Sequence, residues 1–283
     1  MKVIIQIPCF NEADTLQRVI DDLPTCLSGV DCIERLIIDD GSTDGTSDVA
    51  KQLGIEHIAR HNRNRGLAAA FSTGLEMALN VGADIVVNTD GDHQYPGRYI
   101  EQLVAPIVEG RSDIVIGDRK PGSDRKFSMV KRALQRLGRW TISRLAGSDL
   151  PDPASGFREI SREAAIRTHI VTGYSYTIES LLQAVHKGLA VEFVDIETNP
   201  ATRRSRLFRN IPHFLARSAT TILRVFFMYH PLHILVWLSG LLAFVGLFAI
   251  ARFVLFYLSG NGQGHLQSVV LGGVLVVMAG LSS

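Results

Sequence analysis

The residues of this chain that could do chemistry centre on one short stretch, Asp90-Gly91-Asp92-His93-Gln94. The stretch follows the apolar run 85–87, a pattern that is typical of a buried strand ending in a polar loop. Residues two apart on an extended chain point to the same side, so Asp90 and Asp92 can converge on one cation, and Gln94 offers a third oxygen. Such oxygen ligands suit Mg²⁺ or Mn²⁺. Acidic residues also cap strands and helices, so the pair alone leaves both interpretations open.

An alternation of strands and helices must position this loop. Short β-branched runs alternate with helical patterns through residues 1–120, which predicts a mostly parallel sheet flanked by helices, an α/β fold. The predicted strands are 3–7, 36–38, 55–59, 85–89, 114–117 and 191–196, and the predicted helices are 12–23, capped by Asn11, then 46–53, 66–80, 97–109 and 177–186. A basic helical stretch follows at 126–145.

Polar residues gather where the predicted strands end. They are Asn11-Glu12, Asp39-Asp40-Gly41-Ser42, Asp90-Gly91-Asp92 and Asp118-Arg119. Loops after the strands of a parallel sheet lie along one edge, so these residues are expected to share a site for a nucleotide diphosphate and a cation. The chain has no P-loop and no Gly-x-Gly-x-x-Gly after its first strand, which leaves metal and arginine to hold the phosphates. Asp39 could equally be a turn former.

The C-terminal part is typical of a membrane protein. An arginine-rich run from Arg203 leads into a pattern at 207–229 that favours an amphipathic helix on the membrane surface, with an ordinary packed helix as the alternative. Residues 231–258 are long enough to span a bilayer, and 266–281 form a second apolar run that is short for a full span, with a re-entrant or half-buried hairpin as the alternative. The predicted division is a catalytic domain at 1–206, the surface helix at 207–229 and transmembrane helices at 230–283.

Charge and cysteine content narrow the function classes. A formal net charge of +1 gives no reason to expect a nucleic-acid partner. The three cysteines form neither a Cys-x-x-Cys pair nor an even set, which favours a reducing compartment. Arginines crowd before the first apolar run, and the positive-inside rule then predicts a multi-pass protein with residues 1–230 in the cytoplasm. The apolar spans also allow a homo-oligomer.

The ordered motifs resemble glycosyltransferase family 2. The resemblance covers about residues 3 to 210 and rests on Ile7-Pro8-Cys9-Phe10-Asn11-Glu12, Asp39-Asp40-Gly41-Ser42-Thr43-Asp44-Gly45-Thr46, Asn64-Arg65-Gly66 and the 90–96 loop. Gly117-Asp118-Arg119 and the segment 152–158 are similar to the dolichol-phosphate mannose synthase and polyprenyl-phosphate glycosyltransferase branch. The resemblance implies a Rossmann-like GT-A fold, a nucleotide-sugar donor, divalent Mg²⁺ or Mn²⁺ and a lipid-phosphate acceptor at the membrane.

The same resemblance implies roles for individual residues. Those implied to bind the nucleotide sugar are Pro8, Phe10, Glu12, Asp39, Asp40 and Asp90; those implied to hold the metal are Asp90, Asp92 and Gln94. The acceptor and phosphate residues are Arg119, Arg132, Arg136, Ser155, Arg158, Arg203 and Arg206, and the catalytic set is Asp92, Asp152 and Arg119. Arg132 and Arg136 remain alternatives for the acceptor phosphate. The family's Arg-x-x-Gly-x-Ser-Lys is replaced by Thr202-Arg203-Arg204-Ser205-Arg206, without the glycine and the lysine.

The resemblance implies inverting transfer of a hexose from a UDP-glucose or GDP-mannose type of donor to polyprenyl or dolichyl phosphate. A lipid phosphate is already ionised, so it needs cations to bring it close to the sugar more than it needs a general base. Asp152 could act as a base or orient the sugar, or it could be a turn aspartate between two prolines. One rival is a processive polysaccharide synthase, although Gln135 and Arg139-Trp140 have one residue too many for its Gln-x-x-Arg-Trp motif. The other rival is an inactive membrane scaffold.

Overall fold

A computed structural model describes residues 1–120, 138–140, 142–144, 146–147, 149–171, 176–200, 220, 231–259 and 266–282. The chain forms two compact units, Met1–Ile222 and Leu223–Ser283. Most of the predicted basic helix lies outside the described residues, and so does the predicted surface helix apart from Thr220. The predicted phosphate ligands Arg132, Arg136, Arg203 and Arg206 also lie outside them. The three-part division at 206 and 229 stays a prediction.

The first unit is built on a seven-stranded sheet. Its strands are β1 Lys2–Cys9, β2 Cys32–Asp39, β3 His57–Arg60, β4 Ile85–Asn88, β5 Ile114–Asp118, β6 Arg158–Ser161 and β7 Val191–Asp195. They lie in the order β3-β2-β1-β4-β6-β5-β7. All pairs are parallel except those of β6, which runs antiparallel to β4 and β5. The predicted mostly parallel sheet is therefore confirmed, and one inserted strand makes it mixed.

Helices cover the sheet. They are α1 Ala13–Asp22, α2 Thr46–Gln52, α3 Leu67–Asn80, α4 Ile100–Val108 after a 3₁₀ turn at Gly97–Tyr99, α5 Arg162–Arg167 and α6 Tyr176–His186. Successive residues of the central strands are both buried, as Ile4 and Ile5 or Val86 and Val87 show. Since neighbouring strand residues face opposite sides, the sheet has a core on each face. Burial of this kind explains why the strands appear in the sequence as continuous apolar runs.

Three local features differ from the sequence predictions. β6 and α5 were not predicted, because a strand that starts Arg158-Glu159 does not have the composition of a buried strand. α1 begins at Ala13 with Glu12 at its N-cap position, so the prediction of Asn11 as the cap is wrong. Asn11 instead has a left-handed backbone, with φ of 55°, and its side-chain oxygen accepts a hydrogen bond from the Thr43 amide at 2.9 Å.

The second unit contains two apolar helices, α7 Pro231–Leu258 and α8 Leu266–Ser282. They pack closely: a Cβ added at Gly246 would lie 2.7 Å from the carbonyl oxygen of Gly272, and the Ser239 hydroxyl donates to the Ala279 carbonyl at 3.0 Å. Among the described residues, only 235–258 of α7 are long and apolar enough to cross a bilayer, and α8 is a shorter apolar helix. The second predicted span is therefore not confirmed.

Candidate functional site

The loop after β4 carries the predicted metal residues to the carboxyl edge of the sheet. Asp90 is half-buried, and burial together with the negative charge of Asp92 raises its pKa to about 7. Gly91 is a buried residue of this loop, and a Cβ at this position would lie 2.9 Å from the Cys9 sulfur. The loop thus packs directly on the end of β1, and a larger residue than glycine does not fit there.

Asp92 and Gln94 lie side by side in this loop. The Gln94 amide donates to Asp92 Oδ1 at 3.1 Å, and Gln94 Nε2 donates to Asp92 Oδ2 at 2.8 Å. The described residues contain no cluster of three or more His, Cys, Asp or Glu side chains suited to a metal. The candidate ligands here are the carboxylates of Asp90 and Asp92 and the side-chain amide of Gln94. Rotation of that amide by about 180° would bring its oxygen to the position of its nitrogen. A carboxylate whose charge is disfavoured by burial and by a second carboxylate beside it fits a hard divalent cation.

Glu12, predicted to bind the nucleotide, joins the loop after β1 to the loop after β4. It is buried, and the Thr15 hydroxyl lies 3.1 Å from Glu12 Oε2 and 2.7 Å from the Gly91 carbonyl oxygen. Its own amide donates to the Thr46 hydroxyl at 3.0 Å. Pro8 is buried near the end of β1, and Phe10 is half-buried in the loop that follows. The first predicted nucleotide motif therefore lies against the metal loop.

Asp39 is fully buried at the end of β2. Its carboxylate accepts a hydrogen bond from the Ser42 amide at 2.7 Å and another from the Ser47 hydroxyl, and Arg60 Nε lies 3.5 Å away. These contacts are those of a turn former. The side chain holds the β2–α2 loop in shape.

Asp40 is also buried and has three hydrogen-bond partners. Its Oδ1 meets His61 Nδ1 at 2.7 Å, and its two oxygens accept from the amides of Arg65 and Gly66, each at 2.8 Å. His61 in turn contacts the Thr73 hydroxyl through Nε2 at 3.0 Å. Asp40 therefore fixes the loop that precedes α3, a loop whose arginine side chain at 65 is exposed to solvent.

Arg119 follows β5 and forms an ion pair with Asp152. Arg119 Nε lies 2.7 Å from Asp152 Oδ2, and Nη2 lies 2.9 Å from Oδ1. The side chain of Asp152 is 2% exposed and that of Arg119 is 30% exposed. Burial acts to lower the pKa of Arg119, but Tyr95, Asp152 and Asp90 outweigh it and raise that pKa above its usual range. Arg119 is thus a permanent cation whose side chain is partly exposed.

The segment predicted to lie below the donor sugar packs against the metal loop. Asn88 donates to the Gly156 carbonyl at 2.7 Å and to the Tyr176 hydroxyl at 3.2 Å, while the Gly156 amide donates to the Tyr95 hydroxyl at 3.2 Å. A Cβ at Gly156 would lie 2.9 Å from the Tyr176 oxygen and 3.4 Å from Asp90 Oδ2. Only glycine leaves this space free.

Arg158, predicted to bind phosphate, is 1% exposed behind this loop. Its Nη1 donates to the Thr177 carbonyl at 3.0 Å and to the Ser180 hydroxyl at 2.7 Å, and its Nη2 donates to the Ser155 carbonyl. Its guanidinium carbon lies 5.5 Å from the centre of the Tyr176 ring, and burial lowers its pKa. The buried Ser155 hydroxyl has no hydrogen-bond partner among the described residues. Arg158 thus connects the loop to α6.

Four residues of this site, Gln6, Asn88, Tyr95 and Tyr176, have no role assigned to them from the sequence. Gln6, Asn88 and Tyr176 form a buried polar connection in which Gln6 Nε2 donates to Asn88 Oδ1 at 2.8 Å. Tyr95 belongs to the motif at 90–96, and its hydroxyl lies 3.3 Å from Arg119 Nη1. A tyrosine or an asparagine within an apolar stretch needs a hydrogen-bond partner, which was the available signal. The identity of the partner requires the fold.

The structure therefore brings most of the predicted site residues to one edge of the sheet. Those that lie together around the loop after β4 are Glu12, Asp90, Asp92, Gln94, Arg119, Asp152 and Ser155, with Asp39 and Asp40 in the loop after β2. Such an edge can hold a cation and anionic phosphates, because it combines a carboxylate pair with a fixed guanidinium.

Three curated relatives of this chain have names that refer to dolichol phosphate, dolichyl phosphate or polyprenol monophosphomannose. It is 28% identical over 208 residues to dolichol-phosphate mannosyltransferase of Pyrococcus furiosus, covering 69% of this chain and 55% of that protein. It is 25% identical over 206 residues to polyprenol monophosphomannose synthase of Mycolicibacterium smegmatis, covering 69% and 76%. It is 30% identical over 180 residues to UDP-N-acetylglucosamine–dolichyl-phosphate N-acetylglucosaminyltransferase of Methanococcus voltae, covering 57% and 70%. These relatives confirm the resemblance to the dolichol-phosphate and polyprenyl-phosphate branch.

Solved structures share the fold. Glucosyl-3-phosphoglycerate synthase from Mycobacterium tuberculosis, in complex with Mn²⁺, UDP and glucosyl-3-phosphoglycerate, matches with a TM-score of 0.60 and 22% identity over 81% of this chain and 79% of that chain. The same enzyme with Mg²⁺ and UDP matches with a TM-score of 0.60 and 20% identity over 81% and 79%. The likeness confirms the GT-A fold. The profile of glycosyl transferase family 2 matches residues 4–168. Because this match covers more than half of the sequence, the chain belongs to glycosyltransferase family 2.

Proposed function

We propose that this protein transfers a hexose from a nucleotide diphosphate sugar of the UDP-glucose or GDP-mannose type to polyprenyl or dolichyl phosphate. The observation that carries the proposal is the shared edge on which the Asp90–Asp92 pair and the Asp152-bound Arg119 lie. A carboxylate pair suits the cation of a metal diphosphate, and a fixed arginine suits phosphate oxygens. The names of the relatives support a lipid-phosphate acceptor.

A divalent cation is part of this proposal. Asp90, Asp92 and Gln94 would hold Mg²⁺ or Mn²⁺, which supplies positive charge to a departing diphosphate. The solved neighbours with Mn²⁺ or Mg²⁺ and UDP support this assignment. Arg119 supplies a second, permanent positive charge, and Asp152 and Tyr95 fix its direction through the contacts described above.

Asp152 acts in this proposal as a positioning residue for Arg119. Both of its oxygens are hydrogen-bonded to the guanidinium, so protonating it would break a buried ion pair. An ionised lipid phosphate needs no general base, and its in-line attack on the anomeric carbon would invert the sugar. Asp39 and Asp40 contribute by shaping the nucleotide loops, and Arg158 contributes by holding the Ser155 carbonyl.

The second unit supports membrane attachment. Residues 235–258 of α7 would cross the bilayer, and the close contact at Gly246 and Gly272 favours α8 as its hairpin partner in the membrane. With the arginine-rich sequence before the first span, the positive-inside rule places residues 1–230 on the cytoplasmic side. Phosphorylated polyprenols are found at such a surface because their chains are apolar.

The experiment compares the full chain in detergent with two variants. Each protein is incubated with polyprenyl phosphate, Mn²⁺ or Mg²⁺ and a panel of UDP- and GDP-sugars, and the lipid products are identified by mass spectrometry. Asp92→Ala should abolish the product, as should a chelator, whereas Asp48→Ala should not, since Asp48 is 73% exposed on α2. Product formed equally by Asp92→Ala would contradict the assignment of the metal loop. A long polymer would favour a processive synthase.

A further inference from the structure

The segment that follows β7 crosses the carboxyl edge of the sheet. The Ile196 amide donates to the Asp118 carbonyl at 2.9 Å, at the end of β5. Three residues later, the Asn199 amide donates to the Gln94 carbonyl at 2.9 Å, and Asn199 Nδ2 donates to the His93 carbonyl at 3.0 Å. Asn199 thus holds two successive carbonyl groups of the loop that contains the candidate metal residues.

His93 has an unusual backbone in this loop. Its φ is 61°, in the left-handed region that residues with a Cβ seldom adopt. The His93 ring lies 3.3 Å from Asp22 Oδ2, and the same oxygen accepts from the Gly97 amide at 2.7 Å. A left-handed residue persists where surrounding contacts over-determine it, and these contacts come from α1 on one side and Asn199 on the other.

The conformation of His93 decides how its two neighbours are arranged. Asp92 and Gln94 flank it, and the Gln94 amide reaches back to Asp92 Oδ1 at 3.1 Å because the chain turns at His93. A return of His93 to an extended or right-handed backbone would rotate the following peptide and separate the two side chains. The relative position of Asp92 and Gln94 therefore depends on the backbone of His93, whose own side chain is not a predicted cation ligand.

We propose that Asn199 is a positioning residue for Asp92 and Gln94, acting through the carbonyl groups of His93 and Gln94. The inference rests on the proposed function in one respect, the assignment of this loop to a divalent cation. Asn199 itself is half-buried and donates to the loop backbone. Its effect is therefore to keep the backbone of the loop in one conformation. Its contact with the loop after β4 makes the segment that follows β7 part of the site.

The test uses the full chain in detergent with Asn199→Ala and Asn199→Asp. Asparagine and aspartate have nearly the same size, but aspartate places an anionic acceptor opposite the His93 carbonyl where asparagine places a donor. Asn80→Ala is the matched control, since Asn80 is exposed at the end of α3. Hydrogen–deuterium exchange is followed in peptides covering 91–97 and 85–88 of the sequence. Mn²⁺ affinity is measured by electron paramagnetic resonance.

We expect both Asn199 variants to speed exchange in the 91–97 peptide about threefold to tenfold, with the 85–88 peptide and Asn80→Ala unchanged. Mn²⁺ affinity should fall by about the same factor. Wild-type exchange in both Asn199 variants would overturn the proposal. A defect in Asn199→Ala that Asn199→Asp lacks would also overturn it, because the packing of a side chain of this size, without its hydrogen bond, would then be enough to order the loop. Failure of the unaltered chain to bind Mn²⁺ would count against the proposed function, while the exchange result decides the role of Asn199.

Discussion

Arg119 and Asp152 meet in a two-point ion pair, with Arg119 Nε 2.7 Å from one carboxylate oxygen and Nη2 2.9 Å from the other. The pair joins the loop after β5 to the segment before β6. It uses the fork of the guanidinium on one side and leaves Nη1 directed at the Tyr95 hydroxyl, 3.3 Å away. Both carboxylate oxygens of Asp152, for which the family resemblance implies a catalytic role, therefore bind the guanidinium of Arg119.

Asp152→Asn separates the two roles that this acid could have. The variant keeps the shape of the side chain but loses its charge, so Arg119 should be held less firmly and kcat/KM should fall about tenfold or more. A positioning role predicts that the pH–rate profile keeps its shape. Loss of an acidic limb of that profile in the variant would instead identify Asp152 as a general base.

Tyr95→Phe tests the second support of the arginine. The variant removes one hydroxyl that serves both Arg119 and the Gly156 amide. With about 1 kcal/mol for each hydrogen bond, kcat/KM should fall on the order of fivefold to thirtyfold while thermal unfolding changes by only a few degrees. Steady-state kinetics with varied donor would show the loss. An unchanged kcat/KM would mean that Arg119 needs no support from Tyr95.

Gly156→Ala should introduce a methyl group into the space beside Asp90. Its Cβ would lie 2.9 Å from the Tyr176 hydroxyl, so activity should fall at least tenfold in a folded protein. Gly138→Ala is the control, because a Cβ there meets none of the described residues within 4 Å. The double variant Gly156→Ala with Tyr176→Phe removes the clashing oxygen and should recover part of the activity. No recovery would show that the methyl group acts on Asp90 rather than through Tyr176.

Glu159 predicts a pH dependence of stability. It is fully buried on β6, neither of its carboxylate oxygens has a hydrogen-bond partner among the described residues, and burial raises its pKa well above the usual range. The folded chain therefore keeps a proton that the unfolded chain releases. The stabilisation is complete below the unfolded pKa and is lost as pH rises towards the folded pKa, by up to about 1.4 kcal/mol per pH unit.

The glutamine of Glu159→Gln cannot ionise, so the melting temperature of this variant should exceed that of the unaltered chain at pH 8. The two melting temperatures should approach each other at pH 4 to 5, where Glu159 is protonated in both the folded and the unfolded chain. Glu163→Gln is the control, because Glu163 is 60% exposed and pairs with Arg167 on the surface of α5. Thermal unfolding across this pH range provides the comparison. Parallel curves for Glu159→Gln and the unaltered chain would mean that Glu159 is ionised in the folded protein.

The sequence was sufficient for the features that rest on local pattern. Apolar runs that end in acidic loops located β1, β2, β4 and β5, and the spacing at 90–94 located the candidate metal loop. Arg158 and Glu159 concealed β6, since two charged residues do not resemble a buried strand. The partners that make this burial tolerable for Arg158, at Thr177 and Ser180, come about twenty residues later in the chain. Long-range partners of this kind follow from the fold, as does the contact of Asn199 with His93.

The choice of acceptor tests the proposed function most directly. The full chain is offered a sugar nucleotide and Mn²⁺ with either polyprenyl phosphate or the corresponding polyprenol, and the lipid products are identified by mass spectrometry. We expect a product with one hexose joined to the lipid phosphate, no product with polyprenol, and no product with Asp92→Ala. Transfer to the polyprenol, or no lipid product with any UDP- or GDP-sugar, would contradict the proposed function.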